Sequence, residues 1–118
     1  MKLSKVRELL DAEILCCEEN LESEVKSACG SDMMSDVLAF VKDQGVLLTG
    51  LVNPQTVRTA QMMDMKCIVF VRGKHPEAGV VELAEDNGIS ILATDYRLYT
   101  ACGILYSNGL YSEGVDKV

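Results

Sequence analysis

Cys67-Ile68-Val69-Phe70-Val71, followed at once by Arg72-Gly73-Lys74-His75-Pro76, is the stretch that decides the fold. An apolar run as continuous as this suits a strand covered on both faces, which is the condition of strands in a parallel sheet with helices packed on each side. The same grammar appears upstream in Val46-Leu47-Leu48-Thr49-Gly50-Leu51-Val52-Asn53-Pro54, an apolar run closing on small or polar residues and then a proline able to open a helix. Strand starts at Val46, Ile68 and Ile89 are separated by 22 and 21 residues, the spacing of successive strand-helix units. The fold class that follows is α/β: three layers, α/β/α, around a mainly parallel sheet.

Composition sets the outer bounds. A chain of 118 residues with 48% hydrophobic content builds one domain around one core. No apolar run exceeds five residues, far short of the roughly 20 that span a bilayer, and the N-terminus lacks the apolar block of a signal peptide. The expected location is cytoplasmic. A net charge of -7 and a pI near 4.6 repel phosphate backbones and anionic lipid, so neither nucleic acid nor a membrane is an expected partner. The five cysteines, Cys16, Cys17, Cys29, Cys67 and Cys102, show no Cys-x-x-Cys spacing and read as reduced thiols. No metal, disulfide or other cofactor is expected, and Cys67 is expected to be buried in its strand.

Taken in order, the chain predicts a short helix over Ser4 to Leu10 with Ser4 as N-cap, and strands over Ala12 to Cys17 and Val25 to Cys29. The acidic turn from Glu18 to Glu24 would let these two strands pair as a hairpin. Gly30-Ser31-Asp32 then caps a helix running to about Lys42. On that helix Met33, Met34, Val37, Leu38, Phe40 and Val41 cover an arc of about 160° at 100° per residue. Two readings of so wide an arc stay open: deep burial between sheet and helices, or a face shared with a second copy of the chain. Asn53-Pro54 and Pro76 open the next helices, while Gly45, Asn87-Gly88 and Asn108-Gly109 end helices by entering the left-handed conformation. The last helix, Asp95 to Ser107, places Leu98, Cys102 and Leu105 on one face, and a flexible C-terminal tail is expected over 111–118.

Ligands of open parallel sheets bind at the carboxyl ends of the strands, where loops lead into helix N-termini. Those ends collect Ser31, Asp32, Thr49, Gly50, Asn53, Arg72, Gly73, Lys74 and Thr94, the candidate ligand-binding residues. Spare N–H groups and the densest basic cluster of an acidic protein suit this edge to a phosphate or carboxylate. Capping residues and glycines also belong there when nothing binds. The enzyme readings are weaker, because neither G-x-x-x-x-G-K-[ST] nor G-x-G-x-x-G occurs. His75 is the only histidine and sits just before Pro76, a loop or cap position. Glu82, Glu85 and Asp86 read as a solvated helix face. No catalytic residue is assigned.

Three motifs in order, C-G-S-D-M-M-S-D-V-L-A-F-V at 29 to 41, L-L-T-G-L-V-N-P-Q-T-V-R-T-A at 47 to 60 and I-V-F-V-R-G-K at 68 to 74, give the chain a family likeness. It resembles the DRTGG domain, over a stretch taken as 5–110. Leu51-Val52-Asn53 stands where the family's aspartate-arginine-threonine turn falls, and the paired glycines reduce to Arg72-Gly73, so no ligand contact is carried over from those letters. The resemblance implies a fold similar to the N-terminal domain of HPr kinase/phosphorylase, a non-catalytic region. It further implies a regulatory role and a homodimer, which together with the strand-end residues above gives the expectation of a ligand-sensing domain that takes a small anionic ligand such as a nucleotide or phosphate. The alternative it implies is an accessory subunit without its own ligand, interacting with a partner enzyme of an iron-hydrogenase type redox system.

Overall fold

In the computed structural model the strand at the centre of the chain is also at the centre of the sheet. The structure describes residues 1–40 and 45–112, with the side chain of Phe40 left out. Five strands are formed: β1 (Glu13–Cys16), β2 (Ala28–Gly30), β3 (Val46–Thr49), β4 (Cys67–Phe70) and β5 (Ser90–Ala93). The helices are α1 (Leu3–Leu9), α2 (Met34–Phe40), α3 (Pro54–Met62), α4 (Ala78–Asp86) and α5 (Leu98–Ser107), with a short 3-10 turn at Glu18–Glu22. Strand order is β1-β5-β4-β3-β2. The pairs β2–β3, β3–β4 and β4–β5 are parallel, and β1 runs antiparallel to β5.

Alternation of side chains along β4 produces the two cores. Ile68 and Phe70 point to one face and join Leu47, Ile91, Val57, Ala60, Val80 and Ala84, so α2, α3 and α4 cover that side. Cys67, Val69 and Val71 point to the other and join Leu48, Leu92, Leu3, Val6, Ala101 and Leu105, beneath α1 and α5. All four residues of β3, β4 and β5 are buried, as predicted for strands covered twice. Each large aliphatic or aromatic side chain withdrawn from water in this way contributes about 1.5–3 kcal/mol before the entropy of ordering is subtracted.

Several local predictions are met and several are corrected. Asn53 caps α3 as expected: its Oδ1 accepts from Thr56 N at 3.2 Å, and Pro54 takes the first helical position. Asn87-Gly88 and Asn108-Gly109 end α4 and α5, with φ of +67° at Gly88 and +99° at Gly109. The hairpin does not form. β1 and β2 lie at opposite edges of the sheet, because the 3-10 turn entered through left-handed Cys17 leads the chain back beside its own start, where Lys2 bridges Glu24 and Val25 N donates to Met1 O. β1 pairs instead with β5, matching Glu13 to Ala93 and Ile14 to Leu92 before a register shift.

Helix starts move by one to three residues. α1 begins at Leu3 with Lys2 as cap, so Ser4 lies inside the helix. α4 begins at Ala78 behind Glu77, leaving Pro76 in the extended lead-in. α5 begins at Leu98 behind Arg97, because Thr94 Oγ1 accepts from Tyr96 N and holds 94–96 as a turn. On α2 Met34 and Val37 are buried, whereas Leu38 and the preceding Met33 are exposed, so the described part of the wide arc is only half covered. Val41, Lys42 and the end of that predicted helix, like most of the predicted tail, lie outside the described residues.

Gly45 gives a direct check on the packing beneath β3. A Cβ built there would stand 2.7 Å from Val25 Cβ and 3.3 Å from its Cα, so relief requires backbone movement. Gly45→Ala is expected to lower stability by about 1–3 kcal/mol in urea unfolding, and Asn53→Ala by about 1 kcal/mol through loss of the cap. A neutral Gly45→Ala would show that the β2 edge is not packed as described.

Candidate functional site

The carboxyl ends of β2, β3, β4 and β5 form one edge, and all nine predicted residues fall on it or in the loops that leave it. Their hydrogen bonds divide them sharply. Asp32, just beyond β2, reaches across to β3: its Oδ1 accepts from Gly50 N at 2.7 Å and from Thr49 Oγ1 at 3.0 Å. Thr49 Oγ1 in turn accepts from Leu51 N at 3.1 Å. The donors at the end of β3 that would greet an incoming anion are therefore already bonded to a carboxylate of the chain itself. The Gly50 N–H holds the Asp32 carboxyl below its ordinary value of 3.8, helped by the Thr49 hydroxyl and by the positive charges of Arg72 and Lys74.

Other candidates are also committed to structure. Thr94 is buried, and its hydroxyl donates to Leu10 O at 2.7 Å, tying the end of β5 to the end of α1. The predicted helix start at Thr94-Asp95 does not exist, so it offers no row of free helix N–H groups. Asn53 spends its carbonyl oxygen on the α3 cap. Ser31 Oγ accepts from Met33 N at 3.0 Å and donates to Met33 O at 3.3 Å, shaping the turn into α2.

Arg72 and Lys74 are the exception. Both are exposed, and neither forms an ion pair among the described residues. Their loop is a tight turn: Lys74 N donates to Val71 O at 3.3 Å, with φ of +62° at Arg72 and +69° at Gly73. Positive φ at both central residues is the pattern of a type I′ turn, which favours Asn-Gly or Gly-Gly. An L-residue with a long side chain is strained there, at a cost of roughly 1–2 kcal/mol. Two bonds from the turn to the β5 loop hold that geometry, Arg72 N to Tyr96 O at 2.8 Å and Gly73 N to Thr94 O at 2.9 Å. The guanidinium lies over Gly50, where an added Cβ would stand 2.5 Å from one terminal nitrogen and 3.2 Å from Cζ. Gly50 thus leaves the space that Arg72 fills.

Beside them His75 is better placed than a plain cap. Its Nδ1 pairs with Gly73 O at 3.1 Å and its Nε2 with Glu13 Oε2 at 3.3 Å, joining the basic turn to the antiparallel edge strand. The Glu13 carboxylate raises the imidazole above its ordinary value, with the Gly73 carbonyl acting in the same sense. No local pattern announces the Glu13 contact, which depends on β1 crossing to β5. Gly73 directly after a buried strand marked a turn, whereas nothing local marked Arg72 as left-handed.

Cysteine chemistry does not converge on this edge. Cys67 is fully buried, as expected, and burial pushes its thiol well up. Burial likewise pushes Cys16 up to about 12, so neither presents a thiolate. Among the described residues no three His, Cys, Asp or Glu side chains group as metal ligands, and no helix is long and apolar enough to cross a membrane.

The comparisons with known proteins agree with this architecture. The family model of the DRTGG domain matches residues 5–107, and the chain belongs to that family. Among solved structures it is similar to the CBS and DRTGG domains of the regulatory region of Clostridium perfringens pyrophosphatase, complexed with the activator diadenosine tetraphosphate. The TM-score is 0.70 at 15% identity; the match covers 97% of this chain and 52% of that one, which establishes a shared fold. A comparison with curated proteins finds no match.

Asp32 offers a test of the edge by pH. Its carboxyl is lowered in the folded state, so the stability it contributes is present above its unfolded value of about 3.8 and is lost as pH falls through the lower folded value. Asp32→Asn keeps the acceptor and removes the charge. The variant is expected to unfold at lower urea than the parent at pH 6, and the gap is expected to close as pH falls toward 2, because protonated Asp32 resembles asparagine. A gap that stays constant with pH would refute the charge-assisted bonds.

Proposed function

We propose that this protein is a non-catalytic regulatory domain that senses a small phosphorylated ligand at the edge where β3 and β4 end. The observation that carries this reading is Arg72: a long cationic side chain kept in a turn position that glycine or asparagine would fill without strain, laid over a glycine and forming no ion pair among the described residues. Strain of that kind persists where the side chain is required at that point. Lys74 adds a second positive charge. The guanidinium supplies directional, paired hydrogen bonds to phosphate oxygens, and the ammonium a point charge.

Asp32 narrows the ligand class. One of its carboxylate oxygens is held by Gly50 and Thr49, which leaves the other as an exposed acceptor beside the two cations. An acceptor next to cationic donors matches a ligand that carries hydroxyls as well as phosphate, as a nucleotide does, better than inorganic phosphate alone. The similar pyrophosphatase region is a regulatory one crystallised with a nucleotide activator, which is consistent with this class while showing only the fold for this chain. The start of α3 lies at the same edge and its dipole favours negative charge there, with Pro54 lacking an N–H and Thr56 N taken by Asn53.

Calorimetry against AMP, ATP, phosphate and acetyl phosphate tests the proposal directly. A nucleotide is expected to bind more tightly than phosphate, more weakly as salt rises. Arg72→Gly separates site from scaffold, because it removes the guanidinium while relieving the positive φ. Binding is expected to weaken by about tenfold or more, and stability to stay level or rise by about 1 kcal/mol. If no anion binds the parent better than about millimolar, a level worth only about 4 kcal/mol, the accessory-subunit reading replaces this one.

A further inference from the structure

Both ring nitrogens of His75 face oxygens that only accept. Nδ1 stands 3.1 Å from Gly73 O, and Nε2 stands 3.3 Å from Glu13 Oε2. A backbone carbonyl has no proton to give, and neither has a carboxylate. The neutral imidazole carries one N–H, so it serves one of these oxygens and sets a lone pair against the other. Only the imidazolium, with two N–H groups, makes both contacts at once. The two distances alone therefore describe a protonated ring.

The charges around the ring come from three elements. Glu13 lies on β1, Asp95 adds a second carboxylate from the loop after β5, and Arg72 and Lys74 stand on the ring's own turn. The two carboxylates favour the proton and the two cations oppose it. The carboxylates prevail: the Glu13 contact first, and the Gly73 carbonyl after it, lift the ring above its ordinary value of 6.5. That places its titration within the range a cell can traverse.

What the ring holds is the strained turn. Gly73, whose carbonyl meets Nδ1, has φ of +69° and follows Arg72 at +62°. From the β5 side the turn is braced by Thr94 O and Tyr96 O, which accept from Gly73 N and Arg72 N. His75 braces it from the β1 side, and loss of the proton releases either Gly73 O or Glu13. Loss of the proton also leaves the Glu13 charge without its counter-ion beside the two cations. We infer that His75 is a proton-operated clasp on this edge: closed on Gly73 and Glu13, it holds the turn in the form that presents Arg72 and Lys74, so that a phosphorylated ligand binds more tightly as pH falls through the titration of the ring. The inference rests on the anion-site reading given above. By linkage, the bound ligand strengthens the hold of His75 on its proton by the same factor. Because the pair is exposed, the factor is small, about threefold.

The chain has a single histidine, so its ring protons in an NMR titration of the full chain belong to His75 alone. They are expected to titrate above 6.5, and Glu13→Gln is expected to bring the midpoint back toward that value. Calorimetry with AMP, and with ATP in parallel, then compares the parent with His75→Gln at about pH 6 and pH 8.5. Glutamine keeps one N–H donor group and does not titrate. The ligand phosphate itself ionises near about pH 6, and taking the ratio of parent to variant affinity at each pH cancels that contribution. The ratio is expected to be about threefold higher at the lower pH, and to become flat when both proteins also carry Glu13→Gln. A ring that titrates at or below 6.5, or that ignores Glu13→Gln, overturns the clasp. So does a ratio equal at the two pH values while a nucleotide binds, a result that leaves the anion site standing. If neither nucleotide binds the parent at either pH, the anion-site reading falls and the proton link falls with it.

Discussion

A strand of four residues that is apolar on both faces imposes a double demand: two layers of helices have to close on it at once. β4 is that strand, with Ile68 and Phe70 facing one side and Cys67 and Val69 the other. Neither face can be left to water, since exposing either would forfeit several kcal/mol of burial. The consecutive parallel connections put α2, α3 and α4 on one side. Only α1 and α5 remain for the other, so the two ends of the chain have to return to the same face. The bond from Thr94 Oγ1 to Leu10 O fastens that return at the end of β5.

The same order of strands explains why the carboxyl edge is chemically distinctive. In a run of adjacent parallel strands every loop of one kind emerges at one edge, so Asp32, Gly50, Arg72 and Thr94 are neighbours although far apart in sequence. Their roles differ because their bonds differ. Asp32 closes the gap between β2 and β3 by occupying donors of the next strand, and it carries the negative charge that keeps the Arg72 and Lys74 cations from dominating the edge. What is left is a mixed surface, positive on the β4 turn and acceptor-rich beside it.

Much of this was legible in the residues, and the reasons are local. The β3, β4 and β5 strands announce themselves because burial on both faces leaves them almost wholly apolar, with Thr49 and Ser90 the only polar residues and each at a strand end. Asn53-Pro54 and the Asn-Gly helix ends are visible because capping and left-handed backbone are properties of one or two residues. The edge strands were harder. β1 and β2 are separated by a turn that looks like a hairpin connection, and only the distant partner β5, together with the N-terminal residues beside Glu24, decides that they part. Within the site, the choice of residues at the strand ends followed from the fold class. Which of them are spent on capping and which are free depended on side-chain partners such as Leu10 and Gly50, which no local pattern encodes.

The far edge of the sheet has a consequence of its own. β2 is only three residues long, and the N–H of its first residue, Ala28, is taken by the Tyr111 carbonyl at 3.0 Å. A sheet margin this short, already partnered at one end by the chain's own C-terminal segment, gives a stray β-strand little to pair with. That edge is therefore a poor template for strand-by-strand association.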